Sequence, residues 1–301
     1  MTLGVVYGFA AYLLWGVFPL YFIALLPTDP LEIVGWRVLL TLVLCVLLLA
    51  ATRHWRAFGA ILRRPRLLAL TALAGALILV NWTMYVIATM SGNVIEASLG
   101  YFINPLVTVL LAVLVLRERM RPAQWVAIGV AGAAVLVIVV GYGTFPVIAL
   151  TLAGSFGVYG LVKKQLGPSV DAVSGLTLET AWMAPVAAAV LVWLGATTGL
   201  TLGSHSVVHT LLLSASGAVT AAPLLMFAAA ARRAPLSVVG LLQFLTPVMQ
   251  FGIGVWVMHE HMSLERWIGF GLVWVALVIL TVDQFARPRR ARAAEEVAQL
   301  A

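Results

Sequence analysis

The chain has 301 residues, 63% of them hydrophobic and only 10% charged, with a mean hydropathy of +1.07. Soluble globular domains carry about 25% charged residues, so this composition excludes that class and points to a multi-pass membrane protein. The formal net charge of +7 does not mark a nucleic-acid partner, because the charges sit in short loops between apolar runs.

An apolar run of about 20 residues, at 1.5 Å per helical residue, matches the roughly 30 Å hydrocarbon thickness of a bilayer. Ten such runs are predicted as helices: 3–25, 31–51, 67–90, 94–116, 122–141, 145–163, 173–194, 207–230, 236–257 and 264–284. The first is too long for a signal-peptide core and lacks a basic leader, so it is read as a helix. The longest loops, 52–66 and 195–206, leave no room for a soluble domain. Cys45, the only cysteine, lies inside a run, so no intramolecular disulfide is possible. The polar tail after Arg287 is expected to fray.

Lysine and arginine set the predicted orientation. With a cytoplasmic N-terminus, 16 of the 18 basic residues fall on the inner side. Loops 26–30, 91–93, 142–144 and 195–206 hold none. The positive-inside rule therefore predicts that both termini are cytoplasmic.

The chain also repeats. An offset of 142 residues lays Pro105 on Pro247, Val115 on Val257, Glu118 on Glu260, Met120 on Met262, Trp125 on Trp267 and Gly129 on Gly271. Gly75/Gly217, Ala76/Ala218, Met84/Met226 and Ala88/Ala230 continue the register upstream. Each copy holds five spans. An odd number makes the second copy enter from the opposite side. The predicted fold is an all-α integral membrane protein with ten transmembrane helices in two inverted five-helix repeats. The repeats are 1–142 and 143–286, with a cytoplasmic tail at 287–301. Inverted repeats are a recurrent transporter architecture, with the site near the midplane between them.

Several strings carry a resemblance: WGVFPLYF (15–22), LEIVGWR (31–37), NWTMYVIA (81–88), EASLGYFINPL (96–106) and FGVYGLVKK (156–164), with the helix of Glu179 and Pro185. Across the whole chain the sequence resembles the drug/metabolite transporter superfamily, EamA family. Its strings are most similar to the RarD branch, the chloramphenicol-sensitive proteins. The resemblance implies gradient-driven export of small metabolites or drugs across a bacterial plasma (inner) membrane, and names no substrate.

Candidate residues follow from polarity at membrane depth. Arg37 lies about 9 Å below the outer end of its span, where a charge costs about 2.5–3.5 kcal/mol, so it needs a partner. Glu179 is its counterpart at the 142-residue offset, but inversion separates the two by about 10 Å in height, so direct pairing is not expected. Glu96 or Glu32 is the expected partner of Arg37, and Lys163 or Lys164 that of Glu179. These charges serve either as structural pairs or as a substrate-charge and proton-coupling set. Glu96, in the first turn of its helix, is also favoured there by the helix dipole. Tyr101 and Asn104 share a helix face, and Pro105 removes a backbone donor and is expected to kink the helix. The other half offers Gln243, Thr246 and Pro247, with Thr246 matching Asn104. The substrate is expected between these two kinked helices. Trp15, Asn81, Tyr85 and Tyr159 supply aromatic rings and an amide at mid-span. Pro223 and Phe227 match Asn81 and Tyr85. Such a lining suits an amphipathic or amino-acid-like solute, although any one aromatic is equally a packing residue.

Gly4/Gly8 and Gly129/Ala133 are small-xxx-small pairs expected to let helices approach closely. His205, His209, His259 and His261 are read as solvated helix ends rather than a metal cluster. The absence of G-x-x-x-x-G-K-[ST], H-E-x-x-H and G-x-S-x-G argues against ATP hydrolysis and against an enzyme. No cofactor or metal is expected. The expected partners are a small-molecule substrate and membrane lipids, with the protein a monomer or weak homodimer. The alternative is a channel or scaffold without coupled transport. A channel would want a continuous polar stripe, and these spans show isolated polar residues.

Overall fold

The computed structural model describes residues 2–53, 55–117, 121–142, 145–231, 233–234 and 236–300. Glu118 and Met120, matched above to Glu260 and Met262, and the inner-side Arg119 and Arg232 lie outside the described residues. The described chain is helical throughout, with no strand. Its main helices are α1 (Thr2–Gly16), α2 (Phe18–Ile23), α3 (Pro30–Ala51), α4 (Trp55–Leu62), α5 (Pro65–Met90), α6 (Val94–Leu116) and α7 (Pro122–Tyr142). There follow α8 (Val147–Leu166), α9 (Ala172–Thr197), α10 (Val207–Ser214), α11 (Ser216–Ala231), α12 (Leu236–Leu242), α13 (Leu245–Gly252) and α14 (Leu264–Leu300).

Among the described residues nine segments are long and apolar enough to cross a membrane. The tenth expected span, 3–25, is not one helix. It breaks at Val17 into α1 and α2, because Pro19 opens α2 and cannot donate back into the preceding turn. The span 236–257 breaks too. Gln243 and Phe244 form a turn between α12 and α13, and a π-helical turn, Ile253–Val257, follows. Pro105 and Pro223, expected with Pro247 as kink positions, lie inside the continuous helices α6 and α11. The break in span 236–257 comes just ahead of Pro247, the third residue of α13. The last helix does not stop near 284 but continues to Leu300. The tail is rich in Ala, Arg, Glu and Gln, all good helix formers.

The main helix contacts come in image pairs under the 142-residue offset. The packing of α1 on α11 is mirrored by α8 on α5, that of α1 on α13 by α8 on α6, and that of α3 on α11 by α9 on α5. Three contacts are their own images: α3 on α9, α6 on α13 and α7 on α14. Every one of these pairs joins the first half of the chain to the second. The two largest apolar clusters therefore draw on both halves, one around Leu99, Phe102, Phe251 and Phe270, the other around Phe22, Ile33, Val86, Leu152 and Met183.

Close approaches are made by glycine. A Cβ on Gly217 would lie 2.5 Å from the Leu40 carbonyl carbon, and one on Gly4 would lie 2.8 Å from backbone of Arg233. Gly4 and Gly8 thus do the packing expected of them. Gly129 does not: a Cβ there would meet nothing within 4 Å.

Candidate substrate site

Arg37, on α3, is 4% exposed and meets no carboxylate within ion-pair range among the described residues. Both expected partners are committed elsewhere. Glu32 accepts from the backbone N–H groups of Thr201 and Leu202 and from the Trp36 indole, and Glu96 accepts from the Ile148 N–H at the start of α8. Arg37 instead lies in an aromatic cage. Its guanidinium carbon is 4.2 Å from the Trp82 ring centre and 5.5 Å from those of Phe18 and Phe22. Its Nε donates to Thr220 Oγ1 at 2.7 Å. The Thr220 hydroxyl spends its own proton on the Ser216 carbonyl, which leaves a lone pair for the arginine. Desolvated cation–π contacts are worth about 2 kcal/mol, the same order as the cost of a charge at this depth, so the rings can hold the cation without neutralising it.

Rings continue from that cage across the protein. Phe22 meets Tyr85 at 6.0 Å between centres, Tyr85 meets Tyr101 at 5.6 Å, Tyr101 meets Phe156 at 6.3 Å and Phe156 meets Tyr159 at 5.8 Å. The far end is Glu179, on α9 and 1% exposed. It accepts from Lys163 Nζ at 2.7 Å and from the Tyr159 hydroxyl at 3.0 Å. Arg37 and Glu179 are not paired with each other.

The residues expected to line a cavity divide into two groups. Asn81 is 2% exposed and its amide is fully used: Nδ2 donates to the Leu152 carbonyl and Ser155 Oγ, while Oδ1 accepts from Tyr101. It braces α5 against α8. Thr246 likewise donates to the Tyr12 carbonyl and Gln250 to the Trp15 carbonyl, which ties α13 to the last turns of α1. Trp15, Tyr101, Asn104, Tyr159, Phe227 and Gln243 remain partly exposed. Trp15 and Phe227 are in ring contact at 6.0 Å. Asn104 Oδ1 is buried with no partner.

On the predicted outer side the halves are tied by carboxylates that cap backbone. Besides Glu32 and Glu96, Glu260 accepts from Val94 N–H at 2.6 Å and Ile95 N–H at 3.0 Å, at the start of α6. Burial pushes the Glu260 carboxyl above its ordinary range despite those two donors. His209 belongs to this layer and is not solvated as expected. It is 4% exposed, with Nε2 at 2.7 Å from Thr28 Oγ1 and 3.2 Å from the Leu25 carbonyl oxygen. His205, His259 and His261 are exposed, and no cluster of three metal-binding side chains occurs among the described residues.

The EamA-like transporter family matches residues 2–140. Protein RarD of Streptomyces exfoliatus is 50% identical over 98% of this chain and 93% of its own. The uncharacterized transporter YojE of Bacillus subtilis is 40% identical over 93% of this chain and 94% of its own. The chain belongs to the EamA-like transporter family, in its RarD group. It is therefore a multi-pass membrane transporter. A solved structure titled "Crystal structure of protein" shares the fold at 19% identity, with a TM-score of 0.58 over 93% of this chain and 97% of that one.

Within this family member, the sequence pointed to Arg37 but missed what surrounds it. Phe18, Phe22, Trp82 and Thr220 come from three helices, and only the i, i+4 spacing of the two phenylalanines was legible. Glu260 was visible as a repeat-matched acid, but its role as a cap on α6 was not.

Proposed function

We propose that this transporter is a secondary-active exporter of a small organic solute, metabolite or drug-like, across the bacterial inner membrane by alternating access. Two inverted five-helix repeats would rock against each other, with both termini cytoplasmic. The observation that carries this reading is the set of image-paired contacts between the halves, with the buried charges Arg37 and Glu179 at matching positions of the two repeats. Isolated polar residues in otherwise apolar spans favour a carrier over an open channel.

Coupling to a proton or exchange of solutes would drive the cycle. Glu179 is the better-supported coupling group, being 1% exposed yet bonded to Lys163, whose side chain is 35% exposed. Glu96 is already spent on the Ile148 N–H. Counterflow in proteoliposomes tests the reading. Saturable, trans-stimulated uptake is expected, and unsaturable flux would refute it. If Glu179→Gln leaves uptake as dependent on a pH gradient as before, the coupling role falls and uncoupled exchange replaces it.

A further inference from the structure

We propose that Arg37 is an anion subsite and that the transported solute carries a carboxylate which binds there. The inference rests on the transporter reading above and deepens it.

Four observations converge. Among the described residues the buried guanidinium has no counter-anion, and its Nη1 has no hydrogen-bond partner. The Tyr85 hydroxyl, on a side chain 3% exposed, meets only the Thr89 hydroxyl one turn along α5. Tyr101, Tyr21 and Tyr85 all lie within electrostatic reach of the arginine. Tyr21 spends its proton on the Leu212 carbonyl and Tyr101 on Asn81 Oδ1, so the free donor at this positive charge is the arginine Nη1.

The duplicated half supplies the contrast. At the 142-residue offset Arg37 becomes Glu179 and Tyr21 becomes Lys163. The second half thus carries its own counter-ion, bonded at 2.7 Å, while none pairs with Arg37 among the described residues. A purely structural arginine, stitching α3 to α11, would be satisfied by the Nε bond to Thr220. It would not account for an unused terminal nitrogen on a buried charge that no carboxylate among the described residues balances. A solute carboxylate meets both needs, because a charge-assisted bond is strongest where water is excluded. Tyr21 and Tyr101 are the partly exposed members of the ring, so entry requires those two rings to move aside.

The test uses the full chain in detergent, with L-phenylalanine and phenylalaninamide as a pair that differs in carboxylate against amide, and 3-phenylpropionate and benzoate as carboxylates without the amine. Binding is read from thermal-shift titrations. The carboxylates are expected to stabilise the wild type at least about tenfold more tightly than the amide. Arg37→Gln is expected to weaken carboxylate binding by about 10- to 100-fold, and Arg37→Lys to restore part of it. Tyr85→Phe, which removes one oxygen and keeps the ring, should weaken it by about fivefold. Equal binding of acid and amide, no shift with any carboxylate at saturation, or an Arg37→Gln protein that keeps the acid preference would overturn the proposal. If Arg37→Gln does not fold, the acid–amide comparison and Tyr85→Phe still decide it. Saturable counterflow of a probe without acid preference would sink the subsite and leave the transporter intact; absence of saturable flux would sink the transporter reading itself.

Discussion

Breaking the Lys163–Glu179 pair should cost much more from the lysine side than from the glutamate side. Lys163 Nζ lies 2.7 Å from Glu179 Oε1, with side chains 35% and 1% exposed respectively. Lys163→Met strands a carboxylate that cannot reach water and keeps only the Tyr159 hydroxyl at 3.0 Å. Orphaning one charge of a fully buried pair costs about 3–5 kcal/mol, whereas a surface pair is worth about 0–1 kcal/mol. With one partner closed in and the other open, Lys163→Met is expected to lose about 2–3 kcal/mol. Glu179→Gln leaves an ammonium that water can hydrate and keeps an acceptor for Tyr159, so about 1 kcal/mol is expected. The double variant should then lie close to Glu179→Gln alone, a coupling of about 2–3 kcal/mol. Denaturant unfolding of the detergent-purified protein, followed by tryptophan fluorescence, reads all three. Equal single losses that simply add in the double variant would refute the reasoning.

Other consequences follow from single contacts. Gly217→Ala drives a Cβ into the Leu40 backbone and should cost about 1–3 kcal/mol, while Gly129→Ala, with open space around it, should be neutral or stabilise by up to about 1 kcal/mol; melting temperatures compare them. Because the Glu260 carboxyl is raised in the folded state, that state holds its proton more tightly than the unfolded chain. Its contribution to stability is complete below the ordinary value of 4.5 and is lost as pH rises through the raised value. Glu260→Gln should flatten that segment of a stability–pH curve, and an unchanged slope would remove Glu260 as its cause. Asn104→Ala deletes an unpartnered buried acceptor, so ligand-free stability should hold or improve while ligand-induced stabilisation falls; a large ligand-free loss would instead mark Asn104 as structural.

Architecture was legible in the sequence because a bilayer allows so few solutions. Apolar length predicted nearly every span, and one unbroken register between Gly75/Gly217 and Gly129/Gly271 revealed the duplication before any contact was seen. Proline positions were less informative. Pro105 and Pro223 sit inside continuous helices, whereas the first span breaks at Val17 and the ninth at Gln243–Phe244. A missing N–H is a local fact, but whether the helix breaks depends on what neighbouring groups offer the freed carbonyl. Thr246 and Gln250, for instance, serve carbonyls of Tyr12 and Trp15 more than 230 residues away.

By itself, the sequence determined that this is an all-helical membrane protein built by duplication, with Arg37 and Glu179 as charges placed inside its spans. Those properties depend on hydropathy and spacing, which are carried residue by residue along the chain. Only the tertiary structure decided which groups those charges meet. It gave Glu179 a lysine and gave Arg37 three aromatic rings and a hydroxyl, while spending Glu32 and Glu96 on backbone caps. Charge pairing inside a membrane is settled by a few ångströms of geometry between distant helices, and that geometry is a property of the packed whole.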